Sequence, residues 1–240
     1  QGIKNNTIAT YQLANLAIKL KVRDFLLIST DKAVNPTSLM GKSKRIAEII
    51  INFLNNQYLD SNKVYTNFSI VRFGNVFGSS GSVIPLFKNQ LKLGDPLTVT
   101  DKNVTRYFMS SQEAIQLVIQ SIPLKSENEI FHLNMGTSKN IYEIARKLIM
   151  LTGNYVRDTN NYDNQIEIKL IGLQKGEKMH EELRIDNNYY TTEHPDILKI
   201  KDIILTKESF LELIHKLNNY IETNKKDELV SYIDQFLSVR

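Results

Sequence analysis

Phe25 to Lys44 reads FLLISTDKAVNPTSLMGKSK, and its reading decides the fold. Phe25-Leu26-Leu27-Ile28 is a short apolar run of the length that a parallel strand buried on both faces requires. Ser29, Thr30, Asp31 and Lys32 follow at its carboxyl end, and Pro36 with Thr37-Ser38 supplies helix-start signals. In open α/β sheets ligands bind in the crevice outside the carboxyl ends of the strands. A hydroxyl, a carboxylate and an ammonium side by side at that point are therefore candidates for chemistry. Met40 and Lys44 stand four residues apart, so they share one face of the helix that follows.

Outward from this stretch the pattern continues as alternating helices and strands. Residues 6 to 20 carry helical periodicity and lead into the Phe25 strand; Leu39 to Leu54 trace the buried stripe of a helix ending near Asn56. A strand from Val64 to Phe73 ends in the turn through Ser79, Ser80 and Gly81. Val83 to Leu93 reads as a helix with Pro85 early enough to occupy a first turn. Short strands over 97–100 and 106–109 and a helix over 112–122 depart from strict alternation and predict a smaller second lobe. A strand over 130–133 and a helix over 141–151 resume alternation, followed by a polar loop over 152–164 and a strand over 166–171. Gly176 and Glu177 are expected to open a short helix reaching Leu183, and the tail to hold helices over 207–221 and 227–237.

Composition narrows the function classes. The chain has 240 residues, 42% hydrophobic and 23% charged, enough for one or two domains with a sizeable core. No apolar run reaches the length of a membrane span, and no signal peptide pattern opens the chain, which predicts a cytoplasmic protein. There are no cysteines and only four histidines, so thiolate chemistry is excluded and no metal site is expected. The net charge of +4 is spread among interspersed acids and bases, a pattern that suits an anionic small substrate and not a nucleic acid.

Lys44 alone would read as a solvated helix lysine, and Thr30-Asp31-Lys32 as a strand end with a capping hydroxyl and a surface ion pair. The functional reading is acid/base work, since a carboxylate of raised pKa can give a proton and a lysine of lowered pKa can take one. Adjacent strand residues point opposite ways, so only a turn lets both serve one substrate. A Tyr four residues before a Lys, with Ser or Thr on the preceding strand, is the pattern of short-chain dehydrogenases/reductases. Here Met40 holds the Tyr position, and a thioether cannot exchange protons.

STDKAVNPTSLMGKSKRIAE (Ser29–Glu48), RFGNVFGSSGSVIPLF (Arg72–Phe87), PLTVT with TRYFM, LNMG and GLQKGEKMHEEL (Gly172–Leu183) run in one order. Together they resemble the extended short-chain dehydrogenases/reductases of bacterial polysaccharide biosynthesis, the branch containing the UDP-N-acetylglucosamine 4,6-dehydratases, which often carry Met in place of Tyr. The resemblance implies the C-terminal part of a Rossmann-like doubly wound parallel sheet with a smaller α+β substrate lobe. Residues 1–80 would be the C-terminal half of the NAD-binding domain, 81–185 the UDP-sugar lobe interleaved with a returning strand near 130–135, and 186–240 a helical tail. It implies tightly bound NAD, a UDP-sugar substrate and a homo-oligomer. Asp31 would be the acid at the C6 hydroxyl, Lys32 the base at C5, Thr30 the holder of the C4 hydroxyl, and Met40 the occupant of the Tyr site. Lys44, Ser29 and Asn6 would meet the cofactor; Asn75, Ser82, Val83, Arg106 and Glu177 would meet the substrate.

Some features depart from the family pattern. Gln174 stands where a second phosphate-binding arginine is usual, with Lys175 as a candidate substitute, and Ala9 replaces a usual Gly. No G-x-x-G-x-x-G loop occurs in the sequence, so a fragment of a longer enzyme is expected, one that binds NAD weakly by itself and whose missing region could carry a membrane anchor. The alternatives are a UDP-sugar 4-epimerase of the same fold, which would want Tyr at position 40, and a non-catalytic remnant acting as a binding or scaffolding subunit.

Overall fold

β-branched and aromatic residues at the strand positions and uninterrupted apolar stripes at the helical ones produce an α/β chain, seen here in a computed structural model that describes residues 1–59, 66–79, 81–124, 128–157, 164–182 and 189–238. In chain order the elements are α1 (Ala9–Lys19), β1 (Asp24–Thr30), α2 (Leu39–Leu59), β2 (Asn67–Phe73), β3 (Asn75–Val76), α3 (Val83–Leu93), β4 (Leu97–Val99), β5 (Thr105–Arg106), β6 (Phe108–Met109) and α4 (Ser111–Ser121). They continue with β7 (Glu129–Leu133), β8 (Lys139–Asn140), α5 (Ile141–Leu151), β9 (Tyr155–Val156), β10 (Gln165–Ile166), β11 (Ile168–Leu170), β12 (Tyr190–Thr191), β13 (Ile197–Lys201), α6 (Lys207–Glu222) and α7 (Lys226–Ser238).

The chain divides into two compact units, one formed by residues 1–73, 117–134 and 183–240 and the other by 74–116 and 135–182. In the first, the sheet order is β1-β2-β7-β13-β12. β1 and β2 are parallel over their full lengths, with Asp24 opposite Asn67 and Thr30 opposite Phe73, and β2 runs parallel to β7. β13 pairs antiparallel with both β7 and β12. The sheet is therefore mixed, and the tail expected to be helical supplies two of its strands. β13 escaped notice because Lys199 and Lys201 break its apolar run (ILKIK), as befits a strand near the sheet's edge.

α2 begins later than the Pro36 signal suggested. Asn35 has φ of +42°, which breaks helical continuity, and the Ser38 hydroxyl accepts from the Gly41 amide at 3.1 Å as the N-terminal cap. The helix is buried along Ile46, Ala47, Ile49, Ile50 and Ile51. Phe53 stacks on Phe210 of α6 at 3.9 Å between centroids, and Tyr11 of α1 meets the same Phe210 edge-on at 5.7 Å. The tail helices thus complete the core around α2. A π-helical turn, Lys4–Ile8, precedes α1.

The second unit packs around Phe87, Leu97, Val99, Val104, Phe108, Ile141 and Ile149. Its strands are short pairs: β4 with β11, β3 with β6, β5 with β8, and β9 with β10. The expected strand over 166–171 is split between β10 and β11. The expected helix from Gly176 is absent and the segment is a turn, because Gly176 adopts φ of +80° and the Glu177 carboxylate folds back onto the Gln174 amide at 3.1 Å. Val64, Tyr65, Ser80, Leu183 and the middle of the polar loop (158–163) lie outside the described residues. Among the described residues no helix is long and apolar enough to cross a membrane.

Candidate active site and substrate cavity

In the first unit, β1 ends at Thr30 in extended conformation and the chain turns at once through a single 3-10 turn, Asp31–Ala33. The Thr30 hydroxyl accepts from the Lys32 amide at 3.3 Å and donates to Asp31 Oδ1 at 2.8 Å. Lys32 Nζ donates to the same Oδ1 at 2.9 Å. The turn overcomes the alternation of a strand: three consecutive side chains converge on one carboxylate oxygen. Asp31 is fully buried, and its second oxygen, Oδ2, has no hydrogen-bond partner among the described residues. A buried carboxylate oxygen without a donor is costly, and such an atom marks a place built for a group that arrives from elsewhere.

α2 comes down onto this turn without a side chain between. A Cβ on Gly41 would lie 2.1 Å from the Lys32 carbonyl oxygen, so only glycine permits the approach. Met40 is 43% exposed. Lys44 Nζ donates to the Ile28 carbonyl of β1 at 3.0 Å, and burial lowers its pKa from the ordinary lysine value, with the negative charge of Glu48 partly opposing that shift. Asn6 Nδ2 donates to the Ser43 hydroxyl at 3.0 Å, which donates in turn to the Met40 carbonyl. Asn6 therefore braces the first turns of α2. Ser29 differs from expectation: its hydroxyl is buried and donates to Glu48 at 2.5 Å, so any cofactor contact by this residue is left to its main chain.

That Glu48 belongs to a group the sequence reading passed over. Its carboxylate accepts from Arg72 Nε at 2.7 Å and from Arg45 at 3.1 Å, while Arg45 forks onto both oxygens of Asp202 at 2.6 and 2.8 Å. Burial pushes the Asp202 carboxyl up, but the Arg45 guanidinium more than offsets this and holds it below its ordinary value. The available signal was the pair Arg45 and Glu48, three residues apart, beside the apolar stripe of α2.

In the second unit, Asn75, Ser82, Val83, Arg106 and Glu177 line one cavity of about 250 Å³, together with Thr100, Phe108, Ile141 and Gln174. All five residues expected to meet the substrate are thus gathered in it. Glu177 Oε1 accepts from Arg106 at 2.8 Å and from the Thr100 hydroxyl at 2.9 Å. Arg106 also donates to the carbonyls of Thr105 and Met179. Ser82 sits before α3 without capping it, and its Oγ is buried and has no partner among the described residues. A helix N-terminus beside a buried hydroxyl suits an anion, while the Arg106 guanidinium is paired with Glu177 at 2.8 Å and faces Glu181 at 3.8 Å. The remaining walls, Val99, Val104 and Phe108 among them, are apolar.

A family described as "Polysaccharide biosynthesis protein" matches residues 1–202. Over 190 residues the chain is 46% identical to the capsular polysaccharide biosynthesis protein CapD of Staphylococcus aureus, covering 79% of this chain and 30% of CapD. The solved structure of Pen from Bacillus thuringiensis superposes with a TM-score of 0.71 at 33% identity, over 84% of this chain and 59% of Pen. The dTDP-glucose 4,6-dehydratase DesIV of Streptomyces venezuelae, solved with NAD bound, shares the fold with a TM-score of 0.62 at 17% identity, over 76% and 57% of the two chains. The chain thus spans under a third of CapD's length and under two thirds of either structure.

Proposed function

This chain belongs to the polysaccharide biosynthesis protein family, and from that premise we propose that it carries the acid/base and substrate-binding parts of an NAD-dependent nucleotide-sugar 4,6-dehydratase. The substrate would be UDP-N-acetylglucosamine and the product a 4-keto-6-deoxy sugar nucleotide for surface polysaccharide. One observation carries the reading: a buried Asp31 whose Oδ2 has no partner among the described residues and whose other oxygen is held by Lys32 and Thr30, with Met40 at the sequence position where a proton-relaying Tyr would otherwise stand.

Elimination of water requires an acid and a base together, whereas simple hydride transfer requires one proton relay. The neutral Lys32 amine would take the C5 proton, and protonated Asp31, through Oδ2, would give its proton to the departing C6 hydroxyl. A C5–C6 double bond forms and water leaves. After these two transfers Asp31 is a carboxylate and Lys32 an ammonium. That is the ion pair held at 2.9 Å; Lys32 would return its proton to C5 as the hydride reaches C6, and the proton released from the C4 hydroxyl on oxidation would restore Asp31. Thr30 would orient the C4 hydroxyl. NAD, when bound, supplies the hydride acceptor for C4 and the hydride returned to C6. The chain's own groups fit the ribose end of such a cofactor: Lys44 lies at the carboxyl end of β1 with an amine of lowered pKa, and Asn6 braces the same helix. The cavity of the second unit would hold the UDP moiety, with Arg106 and the α3 N-terminus toward the diphosphate and Glu177 toward the ribose.

Incubation of the intact protein with UDP-N-acetylglucosamine tests the reading. The expected product is lighter by one water; a C4 epimer of unchanged mass would establish the epimerase instead. Lys32→Ala is expected to abolish water loss and leave UDP binding, measured by calorimetry, within about twofold. Loss of both together would make Lys32 a structural residue.

A further inference from the structure

The reaction proposed above has no use for Glu48, Arg72, Arg45 or Asp202, yet these are four charges withdrawn from water. Glu48 is fully buried, and Arg72 and Arg45 are 2% and 7% exposed; the Asp202 side chain is 8% exposed. A buried ion cluster is weak as a stabiliser, because apolar side chains of equal volume serve as well or better. Its cost asks for another return.

The connections show what that return is. Glu48 lies on α2 one turn beyond Lys44. Its Oε1 accepts from the Ser29 hydroxyl on β1, and Ser29 is the residue immediately before the Thr30–Lys32 turn. Both Glu48 oxygens accept from Arg72 on β2, Oε1 from Nε and Oε2 from NH2. Arg45 ties the same carboxylate to Asp202, directly after β13, where Asn52 adds a bond at 2.8 Å. One carboxylate therefore fixes α2 against the carboxyl ends of two parallel strands. The tolerance at this place is small: Gly41 rests against the Lys32 carbonyl with no room for a Cβ, and Lys44 reaches back to Ile28. A slide of α2 along β1 would shift Lys32 and Lys44 relative to each other. Hydrophobic packing alone tolerates such slides, whereas directional bonds to a bidentate arginine do not.

We infer that Glu48 is a positioning residue, which through Ser29 and Arg72 sets the register of α2 on β1 and so places Lys32 and Lys44. The inference rests on reading residues 30–32 as the acid/base turn, but its test does not need turnover. In the 240-residue chain, the double variant Glu48→Met with Arg72→Met replaces the Glu48–Arg72 ion pair by apolar volume and leaves Arg45 paired with Asp202. Its thermal midpoint is expected to equal or exceed that of the wild type. Amide hydrogen exchange over residues 30–34, read by mass spectrometry, is expected to accelerate at least about tenfold while β2 and β7 stay protected. Acetylation of Lys32 and Lys44 is expected to speed up relative to the other lysines. Ser29→Ala removes only the link to β1 and should produce the same local change without loss of fold, and Ser29→Thr, which keeps the hydroxyl, should restore protection.

Unchanged exchange over 30–34 in the double variant, or in Ser29→Ala if the double variant does not fold, overturns the inference. A lower midpoint with uniformly faster exchange also overturns it, since the cluster would then be a stabiliser and nothing more. Because exchange and labelling report placement, and turnover reports chemistry, failure of this inference and failure of the dehydratase reading are separate results.

Discussion

At the scale of single residues, Gly41 constrains the turn more tightly than any side chain in it. Gly41→Ala would force its Cβ against the Lys32 carbonyl, where 2.1 Å is available. The first turn of α2 must then lift off, at a cost of about 2 kcal/mol. A drop in the urea midpoint accompanied by faster exchange at Lys32 would bear this out; an unchanged midpoint would show that the helix end yields freely. Thr30, Asp31, Lys32, Met40 and Lys44 were legible in the sequence as candidates, because they stand where a strand ends and at helical spacing. Gly41 was not, since a glycine in the first turn of a helix has many bland explanations and the close approach exists only in three dimensions. The partner of the Ser29 side chain was not legible for a related reason. Alternation along β1 sends its side chain inward, but only the position of Glu48 shows that a charged partner waits there.

At the scale of elements, α2 is held from two sides, by ions and by rings. Phe210 of α6 lies on Phe53 at 3.9 Å and against Tyr11. Phe210→Ala should lower stability by about 3 to 4 kcal/mol through lost burial and the cavity left behind, measurable by urea denaturation. A loss below about 1 kcal/mol would mean that α6 does not stabilise the core. On the ionic side, the folded protein holds the Asp202 carboxyl below its ordinary value of 3.8. In the pH range between the folded and unfolded values the unfolded chain binds more protons. Asp202 therefore contributes stability that is present above pH 3.8 and is lost as pH falls through the folded value. Asp202→Asn should lower neutral-pH stability by about 3 kcal/mol, because Arg45 loses its bidentate partner. It should also flatten the acid limb of the stability curve, and an acid limb as steep as that of the wild type would remove Asp202 from the account. Helices were read well from the sequence, because a period of 3.6 over eleven or more residues is hard to imitate. β3, β8 and β9 of the second unit and β13, with its lysines, carry too few alternations to be seen, and the Gly176 segment shows how a helix-like start becomes a turn once its acid bonds backward.

At the scale of the molecule, the chain folds as two compact units. The first holds the Thr30–Lys32 turn and Lys44; the second holds the cavity lined by Arg106, Glu177 and Ser82. Residues 117–134 and 183–240 return to the first unit through sheet pairing, β7 beside β2 and β13 beside β7. The account stands or falls on Asp31 and Lys32 exchanging protons at C5 and C6. The most direct test is to supply UDP-N-acetylglucosamine to the intact protein in deuterium oxide and to analyse the product by mass spectrometry and proton NMR. Elimination and reprotonation through Lys32 predict a 4-keto-6-deoxy product carrying solvent deuterium at C5, and no such product from Lys32→Ala. A product whose C5 keeps its original proton, or a sugar nucleotide that has lost no water, would contradict it.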